Sequence, residues 1–509
     1  MAVASTSRRA ERTGRPTDLA TARLRRQRLW LMALLAGLLV FYAIAHGTGA
    51  SRLIWVANAL GPTVVAISLG VAALLGLRAI PSFVWTAYFW VLASSAAFFG
   101  VGPLAHVFGD AATLASLDVI LPVTPEKLLF TNALDAAGLL IFLLGVHIIE
   151  ALLPFQSDEA SPSRHHTTFR PEHVAVLFLA LGGALEFGLL LPRDLGALDV
   201  IVPGVLNSLG LLYILGLIVA AYLSVQSARW QVALWVLWIP EVVASLLRFS
   251  KQSLVLALVL PPIGAFLAHG RLRRLAMWGA IAAMAYYVDT PLVNWGREHL
   301  GGAPTNNVQA AFSQRLGSVE QYSARADAGP VDEPEAQGWW TRLDYAPPQT
   351  FAVQRYDRGL PGHSLAAATY AWIPRAIWPN KPILTQDGVE FSTIFSGNSR
   401  NSVGLGIFGE GYWDDGWIGV VLLSLIAGLV YGLYSCLTLR WMQRRAFVYL
   451  PLVSMGITAG LGLVGRFAEA VVGGFAIFCA YWLAVWLLET VAVNSVRSTR
   501  LGHRSRAIP

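Results

Sequence analysis

Cysteine occurs twice in this chain, at Cys436 and Cys479, and both fall inside apolar stretches, so neither a disulfide scaffold nor a thiolate metal site is supported. Charge is scarce too: Asp, Glu, Lys and Arg make up 13% of 509 residues, too little to clothe a soluble globule of that length. The sequence contains no Gly-x-x-x-x-Gly-Lys phosphate loop, no His-Glu-x-x-His pair, no Rossmann fingerprint and no dense carboxylate–histidine cluster. His165 and His166 are adjacent, but without a third ligand nearby they read as solvated loop residues. No metal and no cofactor is therefore expected.

What the chain has in abundance is apolar sequence. Hydrophobic residues make up 55% of it, with a mean hydropathy of +0.56. A helix needs about 20 apolar residues to cross about 30 Å of hydrocarbon. On that criterion about twelve spans are predicted, near 29–46, 53–76, 82–105, 129–153, 172–191, 203–225, 230–247, 252–269, 274–293, 416–438, 446–465 and 469–491. The expected fold is all-α, a polytopic helical membrane protein with one large external loop. Five segments follow: a basic arm over 1–28, spans one to nine over 29–292, the loop over 293–415, spans ten to twelve over 416–491, and a basic tail over 492–509.

Arginine placement sets the orientation, because cationic flanks stay cytoplasmic during insertion. Residues 1–28 carry eight arginines against two acids. Counting alternately from there, both termini are cytoplasmic and the 293–415 loop faces the exterior, or the periplasm if there is one. The net charge of +7 sits on short loops flanking spans, the distribution insertion produces, so no nucleic-acid partner is expected.

Three cations break this rule. Arg248 and Lys251 lie between the seventh and eighth spans and Arg466 between the last two, all on the external side by the parity count. Such charges cost about 2.5–3.5 kcal/mol at the bilayer centre on insertion scales and need compensation. Internal pairing with Glu241, Glu469 or lipid phosphate is one source; a substrate phosphate or diphosphate is the other. The embedded acids Glu150 and Glu186 suggest a proton relay, but Glu150 lies near the cytoplasmic end, and the two deep acids that remain, Glu186 and Glu241, do not by themselves make a transport pathway.

Within the loop, Val308, Phe312, Leu316 and Val319 form an apolar stripe at helical spacing over 306–325, compatible with a helix along the membrane surface. Residues 326–338 are acidic and carry Pro and Gly, as in a flexible excursion. Two strings follow: Ile373-Pro374-Arg375-Ala376-Ile377-Trp378-Pro379-Asn380-Lys381-Pro382, and Gly409-Glu410-Gly411-Tyr412. The prolines could serve only to fix an extended turn, with Trp378 anchoring it at the headgroups.

With those two strings, an arginine at Arg315 in the preceding helix and Gly416 just ahead of the next span, the chain resembles the Wzy-type polymerases of bacterial O-antigen and capsular polysaccharides. The resemblance covers about residues 230–490; Trp413-Asp414-Asp415 stands where the family usually has a small residue or Asn, then Phe-Gly. It implies a fold similar to GT-C-type membrane glycosyltransferases, set in a cytoplasmic (inner) membrane with the loop extracytoplasmic. It also implies transfer of a growing oligosaccharide from undecaprenyl diphosphate to a sugar hydroxyl on another lipid-linked unit, without nucleotide sugar or metal. Implied partners are the undecaprenyl-diphosphate-linked oligosaccharide, membrane lipids, and flippase and chain-length regulator proteins.

Breaking an anomeric bond to diphosphate develops negative charge on the leaving oxygen, which fixed cations stabilise. Arg375 is the first candidate for that role, with Lys381, Arg248, Lys251, Arg315 and Arg466 as further ligands. Glu410 is the candidate base, Asp414 the second. Trp378 and Tyr412 are candidate sugar platforms among the loop aromatics, although Trp and Tyr also gather at membrane interfaces. Two alternatives remain open. An O-antigen-ligase-like transferase would need an external histidine, His299 or His363; a lipid-linked sugar transporter would need polar residues at the midplane of several helices.

Overall fold

A computed structural model describes residues 16–153, 169–200, 202, 204–299, 308–327, 340–373, 377–378, 380–382, 384, 386–396, 402–487 and 490. Regular structure among the described residues is helical, without strands. Among the described residues, eight helices are long and apolar enough to cross a membrane, so the protein is a membrane-embedded helical one. Of the other four predicted spans, three coincide with the shorter apolar helices Leu212–Ser224, Ser253–His269 and Phe447–Leu461, and one with the helix Leu272–His299. The 326–338 excursion from residue 328 onward, most of the basic arm and the basic tail lie outside the described residues.

The chain divides into two units: Met1–His165, Gln337–Arg445 and Leu452–Pro509 form the first, His166–Ala336 and Ala446–Pro451 the second. The long polar segment read as one loop is thus split, its Val308–Asp327 helix in the second unit and its later part in the first.

In the first unit, the helices Pro125–Leu152 and Ile407–Gln443 pack along each other. Water expulsion gives little drive for helix association inside lipid, so small residues that let backbones approach carry the contact. Gly145 and Gly428 do this here: a Cβ on Gly428 would stand 2.2 Å from the Phe142 carbonyl oxygen. The first described helix, Pro16–Thr48, starts well before the predicted span at 29. Leu24 and Arg28 of the expected arm are buried in it. Arg28 lies 2.5 Å from Glu150, with both side chains almost fully enclosed, and 5.2 Å from the Tyr88 ring centroid. That ion pair explains why an arginine of the basic stretch is drawn into the helical bundle.

The late part of the polar segment is held within this unit by specific bonds. Trp340 Nε1 donates to the Val101 carbonyl at 2.8 Å, His106 and Asp344 pair at 2.8 Å, and Gln349 Nε2 donates to Asp135 at 2.6 Å. The helix Ala346–Asp357 follows, with residues 346–352 buried.

The 37-residue helix Ile407–Gln443 is broken at Asp415 and Gly416. At 1.5 Å per residue it would run about 55 Å, longer than a bilayer core needs. The break separates a short 407–414 segment from a spanning portion. Gly416 has φ +57° and ψ −139°, backbone that only glycine adopts readily, and a Cβ there would meet the Tyr356 hydroxyl at 3.0 Å. Gly416→Ala is expected to lower stability by about 1–3 kcal/mol, read as a lower thermal midpoint of the detergent-purified protein; an unchanged midpoint would contradict the assigned kink.

In the second unit, Leu212–Ser224 is the central helix, buried from Leu212 to Tyr222. Tyr213, Leu217, Leu234 and Trp238 share its core. The polar tips of the aromatics are satisfied: Tyr213 donates to the Leu237 carbonyl and Trp238 to the Ala257 carbonyl, each at 2.7 Å. In the Val308–Asp327 helix, Phe312, Leu316 and Val319 are exposed, leaving its apolar stripe outward.

Candidate functional site

The two strings singled out in the sequence meet opposite ends of one short helix in the first unit, Ser364–Ala371, about 12 Å long at 1.5 Å per residue. Ala367 and Ala371 of this helix share a core with Ala468, flanked by Tyr370, Leu384 and Val472.

At its C-terminal end, the buried Lys381 ammonium donates to the carbonyls of Ile373 at 2.9 Å, Ala371 at 3.1 Å and Tyr370 at 3.5 Å. Tyr370 and Ala371 end the helix, where positive charge is favoured, and the Tyr370 carbonyl also accepts the Ile373 N–H at 3.0 Å. Trp378 packs edge-on against Tyr370, with ring centroids 5.8 Å apart, and is partly exposed. Arg375, with Pro374, Ala376 and Pro379 of the same string, lies outside the described residues.

At the N-terminal end, three carboxylates converge. Asp387 accepts from the His363 backbone N–H at 3.1 Å and from the Ser364 hydroxyl at 3.2 Å. Asp414 accepts from the backbone N–H groups of Ser364 and Leu365 at 3.1 and 2.6 Å. Free N–H groups and the helix dipole favour anions at this end, which offsets the mutual repulsion of the acids. Glu410, only 1% exposed, accepts the Phe467 N–H at 2.8 Å. Asp387 and Asp414 are its charged neighbours, and the Ser364 hydroxyl is within hydrogen-bonding reach.

One side chain of this cluster faces outward. The His363 imidazole is 61% exposed, and its Nδ1 lies 3.3 Å from Asp387 Oδ1. With Nδ1–H donating to Asp387, Nε2 keeps its lone pair directed away from the protein. Trp413 fixes the approach to His363, because its Nε1 donates to the Leu360 carbonyl and its own carbonyl accepts from the Gly362 N–H. Tyr412 is buried among Phe130, Tyr356 and Trp417, at ring separations of 5.3–5.7 Å. It is a packing residue, and the accessible aromatic of that group is Trp417.

Arg466 stands beside the cluster. It pairs with Glu469 at 3.0 Å and donates to the Ser402 hydroxyl. Its Nε is also 3.1 Å from where a Cβ would sit on Gly388, the residue after Asp387.

The remaining candidates belong to the second unit. Arg248 pairs with Glu186 and, at 3.0 Å, with Asp194. Arg315 donates to the carbonyls of Leu247 at 2.5 Å and Asp194 at 2.6 Å. Burial pulls its pKa below the usual arginine value, against the opposing attraction of Asp194. Lys251 opens the helix Lys251–His269; its side chain lies outside the described residues. Arg248, Arg315, Lys381 and Arg466 thus all have partners inside their own units. Asp387 and Ser364 were not recognisable in the sequence, and His363 stood out only as one of two external histidines. Comparison of the chain with family models, with curated proteins and with solved structures finds no match.

Proposed function

We propose that the protein polymerises lipid-diphosphate-linked oligosaccharide repeat units by glycosyl transfer at the extracytoplasmic face of the cytoplasmic membrane, as a Wzy-type polymerase. The observation that carries this reading is the meeting of the two strings on one helix. The Gly409-to-Tyr412 string contributes Glu410 to the N-terminal end of Ser364–Ala371, and Lys381 of the other string closes the C-terminal end.

In the proposed reaction the acceptor hydroxyl oxygen attacks the anomeric carbon of the donor sugar. The bond from that carbon to the diphosphate oxygen breaks, and the electron pair leaves with polyprenyl diphosphate. The hydroxyl proton passes to His363 Nε2, with Asp387 orienting the ring and stabilising the imidazolium through Nδ1. Glu410 is too enclosed to meet the acceptor directly; it positions the loop through Phe467. Arg375 is proposed to meet the departing diphosphate as a planar bidentate partner, with Arg466 beside the cluster as a second cation.

A ligase-like transfer to a different acceptor is the second reading, favoured by the outward His363–Asp387 pair. The two differ in product, a ladder of repeats against one addition per acceptor.

Arg375→Ala tests the polymerase reading in cells. Surface glycan should collapse to a single repeat while the lipid-linked precursor still reaches the outer face. Precursor retained on the inner face would instead indicate transport, and a normal ladder would remove Arg375 from the mechanism.

A further inference from the structure

The second unit contains a cavity of about 180 Å³ whose polar lining is drawn from five helical segments. Its charged residues are Glu186, Arg193, Asp194, Glu241 and Arg248. Four of them neutralise one another: Arg248 bridges Glu186 and Asp194, and Arg193 holds Asp194 at 2.6 Å. Glu241 has Arg248 as a charged neighbour but no ion pair of its own among the described residues. It is 3% exposed, and its Oε2 has no hydrogen-bond partner among the described residues.

A carboxylate enclosed this way is costly whether charged or protonated, since either form leaves a hydrogen-bonding atom unused. With all its carboxylates ionised the lining holds three acids against two arginines. A ligand bringing one positive charge and hydrogen-bond donors fits that balance. A cavity of about 180 Å³ is on the scale of a single sugar ring. An alkali ion would leave most of it unfilled. Asn207, held by Arg193 at 3.0 Å, and the Ser253 hydroxyl supply further polar atoms for hydroxyl groups.

We infer that this cavity binds a protonated amino sugar or an equally compact polyhydroxylated ammonium, its charge on Glu241 and its hydroxyls on Asn207, Ser253 and the arginine edges. The inference stands on the second unit alone and does not depend on the transferase reading.

Calorimetric titration of the detergent-purified full chain tests it, using glucosamine hydrochloride, glucose and sodium chloride as separate probes. Glucosamine should bind saturably at one site, and Glu241→Gln should weaken it at least tenfold. Glucose should bind at least tenfold more weakly than glucosamine. Asn207→Ala, at an exposed position, provides a second variant should Glu241→Gln fail to fold; it should weaken glucosamine several-fold. Equal binding of glucose and glucosamine, glucosamine binding that survives both substitutions, no glucosamine binding, or a saturable sodium signal in place of the glucosamine signal would each overturn the inference.

Discussion

Glu150→Ala is expected to destabilise the protein by about 3–5 kcal/mol, the cost of leaving a buried ion pair with one partner. The partner left behind is Arg28, whose side chain has no exposed surface and is held at 2.5 Å. The guanidinium keeps the Tyr88 ring at 5.2 Å but loses its carboxylate in a site with no exposed surface, so the loss falls on the packing of Pro16–Thr48 against Pro125–Leu152. Removing both charges, as Arg28→Met with Glu150→Met, should recover much of that loss, since an apolar pair of similar volume avoids the desolvation penalty. Thermal unfolding in detergent reads both variants. A single variant as stable as the parent, or a double variant worse than either single, would show that the pair does not carry this contact.

His363→Ala is expected to reduce glycan transfer by about 10²–10⁴-fold, the usual contribution of a positioned general base. Its imidazole is largely exposed, so folding and thermal midpoint should be close to those of the parent. Asp387→Asn should reduce transfer less and lower stability somewhat, because Asp387 also accepts from the His363 N–H and the Ser364 hydroxyl. Full activity in His363→Ala would transfer the base role elsewhere or show that the leaving group departs without one.

Membrane class was legible in the composition, because a chain with 55% hydrophobic residues has few soluble solutions. The division of the polar segment was not. Residues 346–352 are buried through a short turn of helix anchored by Gln349 on Asp135, too brief to register as an apolar span. The need of Arg248 for a compensating anion could be read from its place between spans, but its partners could not. The wide turn Glu186–Leu190 adds a residue to the helical count, so no regular spacing rule brings Glu186 and Asp194 to one arginine. For Arg466 the i,i+3 neighbour Glu469 was visible in the sequence.

The cluster around His363 was hidden for a different reason. Its members at 363, 387, 410 and 414 come from three segments, and Asp387 and Asp414 are drawn in by the N–H groups around the start of Ser364–Ala371. Glu410 carried a signal through its motif; Asp387 carried none.

The most direct test is reconstitution: the purified protein in liposomes, supplied with a synthetic polyprenyl-diphosphate-linked repeat unit and nothing else that transfers sugar. A ladder of glycans increasing by one repeat, with one polyprenyl diphosphate released per step, is the predicted result. Precursor recovered unchanged, or merely moved across the bilayer, would contradict the account.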